Sequence, residues 1–361
     1  MYNSSASHIV DVGDGATCFS SSGHINSLDG LRALSIILVL LAHLCGTRGF
    51  WFEKGIAEKY FSMGNLGVRV FFVISGFLIT SLLLHERERN GEISLRNFYI
   101  RRSLRIFPAG YTVIAIAGLS GLFGLLQVNP GEFLAACTYT MNCIRPDNWT
   151  LAHLWSLAVE EQFYIIWPLA LSLFGKRRAM LLAMIMFILG PCARFADSHW
   201  AIGSVLLGGY SFLANADALA SGCLLGGLWG RMGRWKLYDR FQRSWLFLCV
   251  PFAACACSYY WRLRWSPLGV SMLNVSIALC IDWCVRNHST VIGRLLNWRP
   301  LTFVGVLSYS LYLWQQPFIN RGSSHFINMF PYNLIGAIVC ALLSYYLIEK
   351  PFLKLRKRWG R

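Results

Sequence analysis

The chain has 361 residues, of which 55% are hydrophobic and only 14% charged, and its mean hydropathy is +0.47. Soluble domains carry roughly 25% charged residues, so a chain this poor in charge could not cover its apolar surface in water, and two or three soluble domains are excluded. The net charge of +16 would point to a nucleic-acid partner in a soluble protein, but here its placement decides otherwise. The 15% of aromatic residues agrees with a bilayer protein, since Trp and Tyr gather at membrane interfaces.

Residues 1–27 hold no Lys or Arg and no long apolar core, so they do not resemble a secretory leader and are expected to be a disordered cytoplasmic tail. Apolar runs long enough to cross about 30 Å of hydrocarbon as helices follow at about 30–46, 66–84, 109–127, 156–174, 179–195, 213–230, 245–261, 267–285, 301–319 and 333–349. The expected fold is therefore an all-α integral membrane protein, a bundle of about ten transmembrane helices, with a membrane domain over 28–353 and a basic cytoplasmic tail over 354–361. Lys and Arg crowd the even-numbered loops and the C-terminal tail by roughly three to one over the opposite side. Both termini are then expected in the cytoplasm, and most of the positive charge is a topology signal rather than a nucleic-acid footprint.

Gly222, Gly226 and Gly230, spaced for one helix face in span six, predict close helix packing. Nine of the 12 cysteines lie in or beside apolar runs and read as small core residues. Cys280, Cys284 and His288 share a helix face, but two thiols and one imidazole are a weak zinc signal, and no metal site is expected. Cys137 and Cys143 share an outer loop, where spacing leaves their pairing open.

An ionisable side chain inside a span costs at least about 2.5 kcal/mol and is a functional-site hypothesis by default. In LDGLRALSIILVLLAHLC, Asp29 is placed to cap the helix start, and Arg32 and His43 follow eleven residues apart. That is about 16 Å along the axis and close to three turns, so the two project from nearly one face. Asn65, Arg69, His153, Glu160, Glu161, Asn215, Asp217, Gln315 and Gln316 fall at the same outer depth as His43. A His beside a carboxylate is what general-base catalysis requires, because the carboxylate fixes the tautomer and stabilises the imidazolium. At the inner face, NFYIRRSLRIFP puts Arg102 and Arg105 on one face with Arg101 adjacent. Guanidinium forks match phosphate oxygens, while the same cluster could instead bind lipid headgroups or only set topology. Arg32 and Glu349 lie at similar depth.

The strings LDGLRALSIILVLLAH, GVRVFFVISGFLI, FYIRRSLRIFP, LWSLAVEEQFYIIWP, DALASGCLL, VLSYSLYLWQQP and IEKPF occur in one order over residues 28 to about 353, and in this the chain resembles the membrane-bound acyltransferase 3 family, which includes the O-antigen acetylases. The resemblance implies about ten transmembrane helices and transfer of an acyl group, usually acetyl from acetyl-CoA, to hydroxyls of cell-surface or secreted carbohydrates, with acyl-CoA as donor substrate and no bound cofactor. It makes Arg32 and His43 the family's essential pair, Arg102 and Arg105 its RxxR pair at the acyl-CoA end, and Glu160 and Glu161 its acidic pair. Asp217 and Glu349 match its acidic residues in spans six and ten. Two positions depart: Arg69 stands where the family often has Asp, and Gln315 where it often has His. The expected mechanism has His43 deprotonating the acceptor hydroxyl, with Glu160 or Glu161 orienting the imidazole. The expected location is the inner, plasma membrane. The rival from another class is a transporter of an anion or glycolipid, lined by the same polar residues, although no internal repeat is visible.

Overall fold

A computed structural model describes residues 26–51, 54–200, 208–259 and 266–356. The two expected tails lie largely outside the described residues, as does the far end of the seventh apolar run. Every described element is helical, and no strand occurs among the described residues.

The main helices are α1 (Asn26–Leu44), α2 (Lys54–Asn90), α3 (Leu95–Leu122), α4 (Pro130–Cys137), α5 (Trp149–Ala152), α6 (Leu154–Trp200), α7 (Phe212–Met232), α8 (Lys236–Arg243), α9 (Cys249–Tyr259), α10 (Pro267–Arg286), α11 (Val291–Leu296), α12 (Arg299–Phe318) and α13 (Tyr332–Ser344). A π-helical turn, Tyr345–Glu349, then leads into α14 (Lys350–Arg356). Local signals set several starts. Ser94 opens α3 by accepting from Asn97 N at 3.4 Å, and Ser211 opens α7 by accepting from Ala214 N at 3.1 Å. Pro267 follows the Ser266 cap at the first turn of α10, where a missing N–H costs nothing.

Among the described residues, seven helical segments are long and apolar enough to cross a membrane. Each of the ten apolar runs overlaps a helix, and the difference has physical causes. The fourth and fifth runs share α6, broken at Gly175 (φ 72°, ψ 172°), a conformation glycine adopts without a Cβ clash. The ninth run forms α12, whose polar SYSLYLWQQP stretch lowers its apolarity, and the described part of the seventh is short.

Contacts sort the helix ends into two groups. At one end Arg87 Nη1 donates to Leu171 O at 3.1 Å, Arg286 Nη2 donates to Trp229 O at 2.9 Å and Ser27 Oγ donates to Asn297 Oδ1 at 3.1 Å. This end carries the basic loops. The other end brings together the C-terminus of α1, α5 and the C-terminus of α12 through His43, Trp149, Gln315 and Ile319.

The core is built on Phe72, Phe77, Phe163 and Trp167, all fully buried. Trp167 also donates its indole N–H to Thr80 Oγ1 at 2.8 Å, which removes the penalty of burying an unpaired donor. The glycine spacing in α7 is used at two of its three positions: a Cβ on Gly222 would overlap Val73 O and Phe77 N and one on Gly226 would crowd Phe77 O and Ser81 Oγ, whereas Gly230 is exposed; from α2, a Cβ on Gly76 would overlap Leu219 O. Gly30 and Gly305 make comparable backbone approaches to Leu296 and Asp29, fixing α1 against α11 and α12. The second half of α6 leaves Leu181, Ile185 and Ile188 exposed, the pattern of a helix that faces lipid.

Candidate functional site

The basic set meets in a cavity of about 100 Å³ enclosed by α1, α2, α3, α6 and α12. Arg32, Arg102 and Arg105 line it, together with Glu160, Ser75, Tyr164, Ser156, Tyr309 and Tyr312. Arg32 is paired with Asp29 at 2.9 Å, and Arg102 stacks its guanidinium over the Tyr164 ring at 4.7 Å. Stacking orients a guanidinium without consuming its N–H donors. Arg356 of α14 adds a fourth guanidinium whose charge acts on Arg102 and Arg105. Three arginines against Glu160 and the Asp29 partner of Arg32, in a partly open cavity, leave excess positive charge that phosphate oxygens would neutralise.

Two expectations change here. Glu160 belongs to this cavity: its Oε1 accepts from Ser75 Oγ at 2.7 Å, and Ser75 Oγ lies 3.0 Å from Tyr164 OH. Glu161 points elsewhere, and its buried Oε1 has no hydrogen-bond partner. Neither carboxylate is bonded to His43, so neither orients that imidazole. Adjacent helix residues project about 100° apart, and here that divergence sends the two carboxyls into different surroundings. Arg101 likewise turns away from the cavity, to Glu86 at 3.4 Å.

At the opposite end His43 is half-buried on the last turn of α1. Its Nδ1 lies 2.8 Å from Gln315 Oε1. An amide oxygen only accepts, so the bond requires Nδ1–H and leaves Nε2 as the nitrogen with the lone pair. The ring packs edge-on against Trp149 with centroids 5.1 Å apart, and Trp149 Nε1 donates to Ile319 O at 2.7 Å. Arg321 caps α1 from outside, donating to His43 O at 3.3 Å and to Ala42 O. The role expected of a carboxylate is thus taken by Gln315, one of the two positions that depart from the family pattern.

His153 is held differently. Its backbone N and its Nδ1 lie 3.0 and 2.9 Å from Gln316 Oε1, and its Nε2 lies 3.2 Å from Leu313 O. That carbonyl is available because Pro317, four residues on, has no N–H to complete the helical bond. Both partners only accept, so a neutral ring donates to one of them and rests against the other; buried and held in this way, His153 supports the site. Tyr312 OH donates to His153 O at 3.0 Å and lies 2.6 Å from Ser156 Oγ. Tyr312 and Ser156 also line the basic cavity, so hydrogen bonds through these two side chains link the cavity to the backbone of His153.

The remaining candidates sit apart. Asp217, fully buried, forms a two-pronged pair with Arg194 (3.0 and 2.7 Å) and accepts from Ser271 Oγ at 2.7 Å. Arg69 joins its surroundings through Asn274 Oδ1 at 3.4 Å. Asn215 donates to Gly209 O and Ser211 O, each at 3.0 Å. This is a structural network, not part of the His43 cluster. Glu349 sits on the π-helical turn and accepts from Ser310 Oγ. Asp29 lies within the first turn of α1, paired to Arg32, instead of capping it. Cys137 and Cys143 are unbridged.

Nothing in the sequence marks Arg194 as a site residue: near the end of the fifth apolar run it reads only as a topology charge. Tyr164, Tyr312 and Arg356 gave no signal separable from interfacial aromatics and a basic tail.

Residues 25–349 match the model of the family described as "Acyltransferase domain". The chain belongs to this family. It is 31% identical to YrhL of Bacillus subtilis, provisionally named a peptidoglycan O-acetyltransferase, over 91% of this chain and 55% of that protein. It is 30% identical to the peptidoglycan O-acetyltransferase OatA of Listeria monocytogenes, over 92% of this chain and 56% of that protein. A provisionally named O-acetyltransferase of Staphylococcus aureus is 28% identical over 94% of this chain and 59% of its own length. The chain thus spans little more than half the length of these family members. No solved structure matches it.

Proposed function

We propose that this family member is a multi-pass, plasma-membrane O-acyltransferase that moves an acyl group, acetyl by preference, from cytoplasmic acyl-CoA to a hydroxyl of a surface carbohydrate. Peptidoglycan is the acceptor in the names of the relatives and is the first acceptor to test. The observation that carries the proposal is the convergence of Arg32, Arg102 and Arg105 on one cavity, with Arg32 on the same helix that presents His43 eleven residues further along. In this reading, with about ten spans and both termini in the cytoplasm as the loop charges predict, the arginines face the donor side and His43 the acceptor side.

In this scheme the arginines hold the phosphates of acyl-CoA, and its pantetheine arm reaches past Tyr312 and Ser156 toward His43. His43 Nε2 takes the proton of the acceptor hydroxyl as its oxygen attacks the thioester carbonyl. The C–S bond then breaks, and the departing thiolate receives the proton from His43. A two-step route through an acyl-imidazole uses the same groups. Gln315 keeps the proton on Nδ1 throughout, and Glu160, bonded to Ser75, balances part of the cavity's charge.

The test is His43→Ala assayed for acetyl transfer to isolated cell-wall muropeptides, with protein in the membrane quantified. Transfer falls to background if the proposal holds, and unchanged transfer by a normal amount of protein refutes it. Reporter fusions at residues 90 and 145 should report cytoplasmic and external locations respectively; the reverse refutes the orientation.

A further inference from the structure

Between α7 and α9 the chain crosses the basic end of the bundle through α8, and this segment has three distinct faces. Inward, Tyr238 OH and Gln242 Nε2 both donate to Asp282 Oδ2, at 2.7 and 2.5 Å. Asp282 is fully buried on α10 and its Oδ1 accepts from Arg286 Nε at 2.8 Å. Trp283 Nε1 also donates to Gln242 O at 3.2 Å. These bonds fix how α8 is rotated, because Tyr238 and Gln242 lie one turn apart on one face.

The outward faces are chemically divided. Lys236, Arg240 and Arg243 recur at i, i+4 and i+7 and border a shallow open cleft with Asp239 and Ser244. Asp239 pairs with Arg243 at 3.1 Å, while Arg231 and Arg234, also exposed, add to the positive excess. Beside the stripe stand Trp235, Leu237 and Trp245, which are 58%, 80% and 75% exposed. Large apolar side chains so exposed need a partner that is not water.

We propose that α8 and its flanking tryptophans form a docking surface for anionic phospholipid, with Lys236, Arg240 and Arg243 on the headgroup phosphate and Trp235, Leu237 and Trp245 in the acyl boundary. The combination decides between a lipid and a soluble anion. Phosphate alone would satisfy the cations but leave the indoles and Leu237 in water, whereas a headgroup and its chains match both at one depth. The rotation set by Asp282 holds the cationic stripe at that depth. Asp282 itself lies on α10, so lipid at α8 bears directly on the bundle.

The experiment uses the full chain in phosphatidylcholine vesicles carrying trace spin-labelled phosphatidylglycerol or phosphatidylcholine, and reads the relative association of the two labels. The wild type is expected to prefer phosphatidylglycerol. The variant Lys236→Gln/Arg240→Gln/Arg243→Gln should lose about fivefold or more of that preference, given about 1 kcal/mol per basic residue at an anionic surface. Undiminished preference in the triple variant overturns the proposal, as does preference that instead disappears in Arg102→Gln/Arg105→Gln. If the triple variant fails to fold, the wild type still decides. Its preference must weaken as salt rises to 1 M and must withstand inorganic phosphate at constant ionic strength; failure of either overturns the proposal.

Discussion

Replacing Gln315 by Leu removes the acceptor from His43 Nδ1 while leaving a shorter, branched apolar side chain at a fully buried position. In the wild type the 2.8 Å bond holds the ring proton on Nδ1. Without it the buried N–H is unsatisfied at a cost of about 1–3 kcal/mol, and moving the proton to Nε2 relieves that cost by abolishing the base. The fraction of correctly tautomerised imidazole, and with it kcat, should fall about five- to hundredfold. KM for acetyl-CoA should not change, because the phosphates are held three turns away. The assay is steady-state release of thiol from acetyl-CoA by the purified protein in proteoliposomes, with muropeptide as acceptor. Gln315→Glu, which returns an acceptor oxygen, should restore kcat. A Gln315→Leu enzyme with wild-type kcat, or one altered in KM alone, refutes the tautomer argument.

Arg102→Gln/Arg105→Gln should raise KM for acetyl-CoA at least tenfold, since a charge-assisted bond contributes about 1.5–3 kcal/mol; equal KM values would leave the pair with topology alone. Arg194→Met strands the buried Asp217 carboxylate, at a cost of about 3–5 kcal/mol, so the amount of folded protein extracted from membranes should collapse, and Arg194→Met/Asp217→Leu should recover it. Gly222→Leu forces α7 away from Val73 and Phe77, and the detergent-solubilised variant should melt well below the wild type; an unchanged midpoint would mean that the seam can open without cost.

Seven spans, the Arg32–His43 helix and the RxxR face are legible because each depends on spacing along one helix, which sequence reports directly. Neighbours across helices are not. The shared depth of His43, Gln315, His153 and Gln316 fits the bonds of His43 to Gln315 and of His153 to Gln316, whereas Glu160, assigned the same depth, turns its side chain toward the arginines. Depth is one coordinate, and rotation about the α6 axis is the other. The Asp217–Arg194 and Asp282–Arg286 pairs illustrate the same gap. Asp282 and Arg286 are four apart and readable as a pair, whereas Asp217 and Arg194 meet only after two helices fold together. Gln315 was marked as a departure from the family pattern, and only its bond to His43 shows what the departure provides.

The closest joints of the bundle, Gly76 to Leu219, Gly222 to Val73 and Gly305 to Asp29, are made from backbone. A contact between two long side chains must freeze rotamers on both partners, at up to about 2 kcal/mol for each of the most flexible; a glycine brings no rotamers to freeze. Helices joined this way surrender little freedom when they assemble in lipid, where no hydrophobic gain exists to compensate for the loss. The joint at Gly305 also sets the register of α1 against α12, and that register determines whether His43 and Gln315 meet at 2.8 Å. Precision at the imidazole is thus inherited from a place on α12 with no side chain at all.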